Sequence, residues 1–129
     1  MDSRPTVIVT GASRGIGAAV AQWLGSKGAN ITLVARTESD LEIVALDVKK
    51  SGGNAIVMTT DVADPANCRH VVEKTISRFQ GISGLVNNAG ILTPMESVAL
   101  TKAKDWRNNI EVNLLGPVFM SMAAIPELR

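Results

Sequence analysis

"TGASRGIG", residues Thr10–Gly17, decides the fold. It stands between an apolar run, "TVIVT" (6–10), and a stretch of helical character, "AAVAQWLGSKG" (18–28). A strand that ends in a glycine turn and passes at once into a helix aims unpaired backbone N–H groups, and the positive end of the helix dipole, at one spot. That spot attracts phosphate. Gly11 permits a tight turn, while a Cβ at Gly15 or Gly17 would intrude on a pyrophosphate or on the first strand. The spacing is G-x-x-x-G-x-G, which departs from the G-x-G-x-x-G dinucleotide fingerprint. Many turns take glycine for backbone reasons alone. The strand-turn-helix setting therefore carries the reading.

Working outward, short apolar runs alternate with amphipathic ones. "TVIVT" (6–10), "NITLVAR" (30–36), "NAIVMTT" (54–60) and "GLVNNAG" (84–90) are rich in Val, Ile and Leu, as strands buried on both faces are. Helices are predicted over about Gly15–Lys27, Ser39–Lys50 and Pro65–Phe79, each followed by a glycine, at 28, 52 and 81. Asp64-Pro65 reads as a cap followed by a first-turn proline. In the first helix Ile16, Val20, Trp23 and Leu24 form one apolar stripe, expected to lie against the sheet. Strand and helix in alternation imply parallel pairing with right-handed crossovers, in a doubly wound α/β sheet of order 3-2-1-4. A last helix is predicted over about Glu111–Leu128, apolar nearly all round and so expected to be enclosed by neighbours.

Composition excludes several classes of function. The chain has 129 residues, 46% hydrophobic and 19% charged, enough for one domain with a substantial core. Its net charge is +1 and its 13 basic residues are scattered, so there is no electrostatic footprint for nucleic acid or an anionic membrane. The longest apolar stretch, Val112–Ile125, is broken by Asn113, Gly116, Pro117 and Ser121, and no basic-then-apolar leader opens the chain. A cytoplasmic location is the expectation. The single cysteine, Cys68, rules out an internal disulfide and a Cys-rich metal site, and no metal is expected. Cys68 reads as a packed or surface thiol, His70 as an exposed helix residue, Asp105 and Glu111 as solvated charges, and Met95, Met120 and Met122 as gap fillers.

"TGASRGIG", "NNAG" (87–90) and the asparagine of "EVNLLG", Asn113, occur in the order and at the separations of the short-chain dehydrogenases/reductases, a family that this chain resembles along essentially its whole length. The resemblance implies a Rossmann-type sheet with a nicotinamide dinucleotide lying across the carboxyl ends of the strands, near the switch point between the first and fourth. It places cofactor contacts at Gly11, Ser13, Arg14, Gly15, Ile16, Gly17, Arg36, Thr37, Asp61, Val62, Asn88, Ala89 and Gly90. Asn87 is expected to tie the central strands together, and Asp61 can equally be a solvated residue before a helix. Asn113 takes the place of a catalytic-site asparagine, at a bend in a long helix, that holds a water linked to a catalytic lysine; Gly116-Pro117 fits such a distortion.

Arg36, at the end of the second strand, decides the cofactor. A guanidinium there offers a fork of donors to the extra phosphate of NADP, Thr37 adds a hydroxyl, Arg14 adds a second positive charge, and no carboxylate stands at Ala35 or Arg36 to favour NAD. NADP is the expected cofactor. The implied activity is hydride transfer between it and a small-molecule carbonyl or alcohol. A non-catalytic dinucleotide-binding regulatory module is the alternative, and a methyltransferase is disfavoured because Arg36 stands where an acidic residue would grip a ribose.

The family's Ser and its Tyr-x-x-x-Lys helix have no counterpart here, and the chain contains no tyrosine. Residues 1–129 are therefore expected to be the NADP-binding part of a Rossmann-type domain, incomplete at its C-terminus, with Asn113 the one catalytic-site residue present and little activity of its own. By resemblance the last helix belongs to a subunit interface of a homo-oligomer. With that helix apolar and the "GLVNN" edge unpaired, residues 1–129 are expected to self-associate. Sedimentation velocity checks this: a monodisperse monomer that unfolds cooperatively would contradict it.

Overall fold

The computed structural model describes residues 3–129 and shows a parallel four-stranded sheet of order β3-β2-β1-β4. The strands are β1 (Thr6–Thr10), β2 (Asn30–Ala35), β3 (Asn54–Thr59) and β4 (Gly84–Val86). Between them run α1 (Gly15–Ser26), α2 (Glu38–Lys50) and α3 (Pro65–Phe79), and after β4 come α4 (Ala103–Ile110) and α5 (Gly116–Ala124). This is the doubly wound architecture expected. The strand alternation explains the two layers, because successive side chains leave opposite faces. Val7, Val9, Ile31 and Leu33 pack with Ala21, Leu41, Val44 and Val48 on the side of α1 and α2. Ile8 and Val34 pack with Cys68, Val71, Met120 and Ala124 on the side of α3 and α5.

Polar groups inside this core are paired, as burial requires. The Asn30 amide, fully buried at the start of β2, donates to Thr6 Oγ1 (3.2 Å) and accepts from Asn54 Nδ2 (2.9 Å), which ties the entrances of three strands together. The Cys68 thiol is buried, donates to the Val62 carbonyl (3.3 Å), and is pushed up to about 11 by burial and by the nearby Asp64 and Asp61 carboxylates. It is packed and inert. His70 is exposed.

Several sequence expectations need correcting. The face of α1 against the core is Gly17, Ala21 and Gly25, whereas Ile16 and Trp23 are 75% and 61% exposed. Close approach, not apolar mass, chose that face: a Cβ on Gly25 would lie 2.8 Å from Val48 Cγ1. The fourth strand ends at Val86 and not Gly90, and the second and third end one residue early, so Arg36 and Thr60 lie beyond their strands. α2 begins at Glu38, with Thr37 at its cap. α3 starts as expected, with Asp64 Oδ1 accepting from Ala66 N (2.9 Å), yet it stops through Gln80 at φ +69°, not through Gly81. Met120 is buried, but Met95 and Met122 are exposed and fill no gap.

The last helix differs most. It begins earlier, at Ala103, passes through a π-helical turn at Glu111–Leu115, and gives way after α5 to a short 3₁₀ turn, Ile125–Glu127. It is not enclosed: Val112, Gly116, Met120 and Ala124 are buried, while Leu114, Val118, Met122 and Ile125 are exposed along the other side. Beyond it Leu128 bridges Ile82 in parallel, and Arg129 N donates to the Ile82 carbonyl (3.1 Å), beside the start of β4.

The close packing of α1 on α2 has a measurable consequence. Gly25→Val is expected to lower stability by about 2–3 kcal/mol through overpacking, while Ala19→Val on the exposed side of α1 changes it by under about 0.5 kcal/mol. Urea unfolding midpoints of the two variants provide the comparison.

Candidate functional site

β1 and β4 are neighbours, with Val9 beside Val86, so the turns that follow them emerge together. Thr10, the last residue of β1, locks those turns to each other. Its buried hydroxyl accepts from the backbone N–H of Asn88 and of Ala89, both at 3.0 Å, and donates to the Val86 carbonyl (3.4 Å). The Asn88 amide donates to the Gly11 carbonyl (3.1 Å), and Ala12 N donates to Val34 O of β2 (3.1 Å). Gly11 turns with φ +61° and packs so closely that a Cβ there would lie 2.9 Å from Ala89 Cα. A Cβ on Gly17 would collide with the Gly11 carbonyl oxygen. Only glycine allows α1 to begin this close to the strand end.

α1 opens without an internal anion. Its cap residue, Arg14, makes no side-chain capping bond and its first turn holds no acidic residue, unlike α3 with its Asp64 cap or α2 with Glu38 and Asp40. The dipole at this end is left for an external negative charge.

Around this point opens a cleft of about 310 Å³ at the carboxyl ends of all four strands. Gly11, Ser13, Arg14, Arg36, Thr37, Asp61, Val62, Asn88, Ala89 and Gly90 line it, ten of the thirteen positions expected to touch a cofactor. Gly15, Ile16 and Gly17 lie in the first turn of α1 behind that wall; Gly15 adopts φ +60° with open space where a side chain would stand, Ile16 is exposed and Gly17 is buried. Asp61 is exposed and accepts from Ala63 N (3.0 Å). Val62 is buried and reaches α5 where Gly116 makes room, a Cβ there lying 2.7 Å from Val62 Cγ2.

Asn87 does not tie the strands. It is exposed, and its amide donates to Ser121 Oγ of α5 (3.3 Å); the strand-tying amide is Asn88. Asn113 sits in the π-helical turn and pairs with the backbone of Ile91, accepting from its N–H and donating to its carbonyl, both at 2.7 Å. Four residues earlier Asn109 donates to Thr93 O (3.0 Å) and to Asp105 O (2.7 Å). Two asparagines one turn apart thus hold the segment that leaves Gly90. Pro117 has no N–H to offer the Asn113 carbonyl, the acceptor four residues before it, and helical bonding is perturbed there.

The cleft also contains Val34, Ala35, Asp40, Thr60, Ile91 and Val112, which sequence reasoning missed. Val34 and Ala35 were accessible from the strand-end rule. Asp40 carried a misleading signal, since Thr37-x-x-Asp40 resembles a capping box. Thr10 was visible as the threonine before Gly11, but its role depends on a partner 78 positions away. Among the described residues, no group of three His, Cys, Asp or Glu side chains is placed to hold a metal ion, and no helix is long and apolar enough to cross a membrane.

Fold and cleft together define a doubly wound, Rossmann-type α/β domain with its site at the strand ends. The chain belongs to the short-chain dehydrogenase family, whose model matches residues 5–129. It is 37% identical over 128 residues to 11-beta-hydroxysteroid dehydrogenase-like 3 of Arabidopsis thaliana, an alignment covering 98% of this chain and 41% of that protein. Among solved structures, a metagenomic short-chain oxidoreductase in complex with NADP superposes with a TM-score of 0.89 at 34% identity, covering 95% of this chain and 55% of that one. The NADH-dependent reductase A1-R' complexed with NAD also superposes at 0.89, with 26% identity and coverage of 96% and 52%. The chain thus spans about half the length of these structures and about two-fifths of the curated relative.

Thr10 provides a direct test of the site's frame. Thr10→Val removes the acceptor of two N–H groups and is expected to cost roughly 2–4 kcal/mol of stability, whereas Thr10→Ser, which keeps the oxygen, should recover most of it. Chemical denaturation of both variants measures the difference.

Proposed function

We propose that the cleft binds NADP(H), and that the chain is the dinucleotide-binding part of an oxidoreductase that moves hydride between the nicotinamide and a carbonyl or alcohol substrate. One observation carries this reading: the cleft gathers the glycine turn, the uncapped start of α1, and two guanidinium-bearing residues, Arg14 and Arg36, around the ends of β1, β2 and β4. The residues fit the cofactor. The start of α1 and the turn Gly11–Gly17 suit a pyrophosphate, since α1 opens with no acidic residue in its first turn and no side-chain cap. Arg36 and Thr37 suit the 2′-phosphate of the adenosine ribose, because a guanidinium presents paired donors to a dianion. Asp61 and Val62 suit the adenine side, and Asn88–Gly90 the ribose and nicotinamide side.

When bound, the dinucleotide supplies or accepts the hydride. This chain's own part is to orient it and to hold Asn113 in the π-helical turn, its side chain engaged with the backbone of Ile91, and Pro117, four residues on, offering its carbonyl no N–H. A reduced carbonyl needs a proton donor, which is worth about 10² to 10⁴ in rate. The sequence contains no tyrosine to serve. Residues 1–129 by themselves therefore bind the dinucleotide and turn over carbonyl substrates negligibly. The reading carries a cytoplasmic setting, and a homo-oligomer whose contact includes the exposed Leu114, Val118, Met122 and Ile125.

Fluorescence titration tests the cofactor preference. NADPH is expected to bind at least about tenfold more tightly than NADH, and Arg36→Leu should erase most of that difference while leaving NADH affinity near its original value. Equal or tighter binding of NADH by the unaltered chain would overturn the assignment.

A further inference from the structure

Asp40 is one of two carboxylates in the cleft wall, with Asp61, and the one that shares an element with the cap residue Thr37 and follows Arg36 by a single turn. It stands at the third position of α2, one turn past Arg36 and three residues after Thr37, half-buried, and it lines the same cleft as both. The pattern Thr37-x-x-Asp40 would ordinarily form a capping box, in which the hydroxyl and the carboxylate satisfy N–H groups of the first turn. That box is not made: the Thr37 side chain makes no capping bond. Among the described residues, neither an ion pair nor a hydrogen bond engages the Asp40 or Arg36 side chain. The carboxylate therefore lies in the first turn of α2, near the positive end of the helix, but is held by no hydrogen bond there and does not brace the guanidinium.

We propose that Asp40 is a specificity-determining residue which limits how strongly this cleft prefers a 2′-phosphorylated adenosine over one with a free 2′-hydroxyl. The inference rests on the reading that Arg36 and Thr37 receive that phosphate. A carboxylate facing the same space repels a dianion and accepts a hydrogen bond from a ribose hydroxyl, so it disfavours one ligand and favours the other. The protein then accepts both dinucleotides, with a preference set by the difference between Arg36 and Asp40 instead of by Arg36 alone. Removing one charge from a partly exposed wall, against a doubly charged group several ångströms away, corresponds to roughly a fivefold change in the binding ratio.

The test uses two probes that differ only in the 2′-phosphate, adenosine 2′,5′-bisphosphate and 5′-AMP, titrated calorimetrically into the whole chain and into Asp40→Asn. The expected result is a preference for the bisphosphate in the native chain that rises about fivefold in the variant, with 5′-AMP affinity equal or lower. An unchanged ratio, or weaker bisphosphate binding, would overturn the role of Asp40 while leaving the cofactor assignment standing. A native chain with no preference for the bisphosphate would overturn the assignment itself, and the role of Asp40 with it. Asp40→Ser, which also removes the charge but keeps a small polar group, decides the matter should Asp40→Asn fold poorly.

Discussion

The Thr10 hydroxyl and the Gly11–Gly17 contact are one constraint seen from two sides. Two turns that follow adjacent parallel strands must share a volume that ordinary residues would overfill, and each must satisfy the backbone groups that the sheet no longer pairs. Thr10 Oγ1 answers the second demand by taking the Asn88 and Ala89 N–H groups, and the Asn88 amide answers it again by reaching the Gly11 carbonyl. The glycines answer the first. With both met, α1 starts close to the strand end, directly after the Ser13 and Arg14 that line the cleft. Loss of the threonine oxygen would leave two donors poorly satisfied at a site where water competes badly.

This explains which parts of the molecule could be read from residues alone. Val7 and Val9 against Ile8, and Ile31 and Leu33 against Val34, announce strands covered on both faces, and the glycine turn announces which end of the sheet matters. Ten of the thirteen positions expected to touch a cofactor fall on one cleft because they lie at or just beyond strand ends, a location that order and spacing define well. The identity of the inward amide in "NNAG" was not legible. It depends on the backbone path after β4 ends at Val86, which brings the Asn88 amide, not that of Asn87, to the Gly11 carbonyl.

The first helix went wrong for a different reason. Hydrophobic periodicity ranks faces by apolar mass, and on that measure Ile16, Val20, Trp23 and Leu24 win. The structure ranks them by permitted distance, and the small face of Gly17, Ala21 and Gly25 wins, with Ala18 and Leu24 packing partly beside it, because the helix is drawn down onto Gly11 at one end and Val48 at the other. The segment around Asn113 combines both difficulties. Its apolar residues suggested an enclosed helix, but Val112, Gly116, Met120 and Ala124 are buried and Phe119 and Ala123 partly so, while Leu114, Val118, Met122 and Ile125 are exposed and the neighbouring asparagines serve the chain leaving β4. The π-helical turn shifts the register between the two, which no period of 3.6 anticipates.

The cleft therefore has two mechanically different sides. On the β1 and β4 side the Thr10, Asn88 and Asn113 side chains are already hydrogen-bonded to backbone groups, so much of its shape is set before any ligand arrives, with Arg14 the long side chain left to order there. On the α2 side Arg36, Thr37 and Asp40 are uncommitted, and fixing a long side chain such as Arg36 costs about 1–2 kcal/mol. A charge-assisted hydrogen bond contributes roughly 1.5–3 kcal/mol, which offsets that cost only when the ligand brings a group able to engage the guanidinium. On the proposed function, affinity for the common part of a dinucleotide would reside mainly in the first side, and discrimination between dinucleotides in the second. Substitutions of the Arg36, Thr37 and Asp40 side chains would leave the frame undisturbed, since the bonds of the β1 and β4 turns, including that of Ala12 N to the Val34 carbonyl, use none of them.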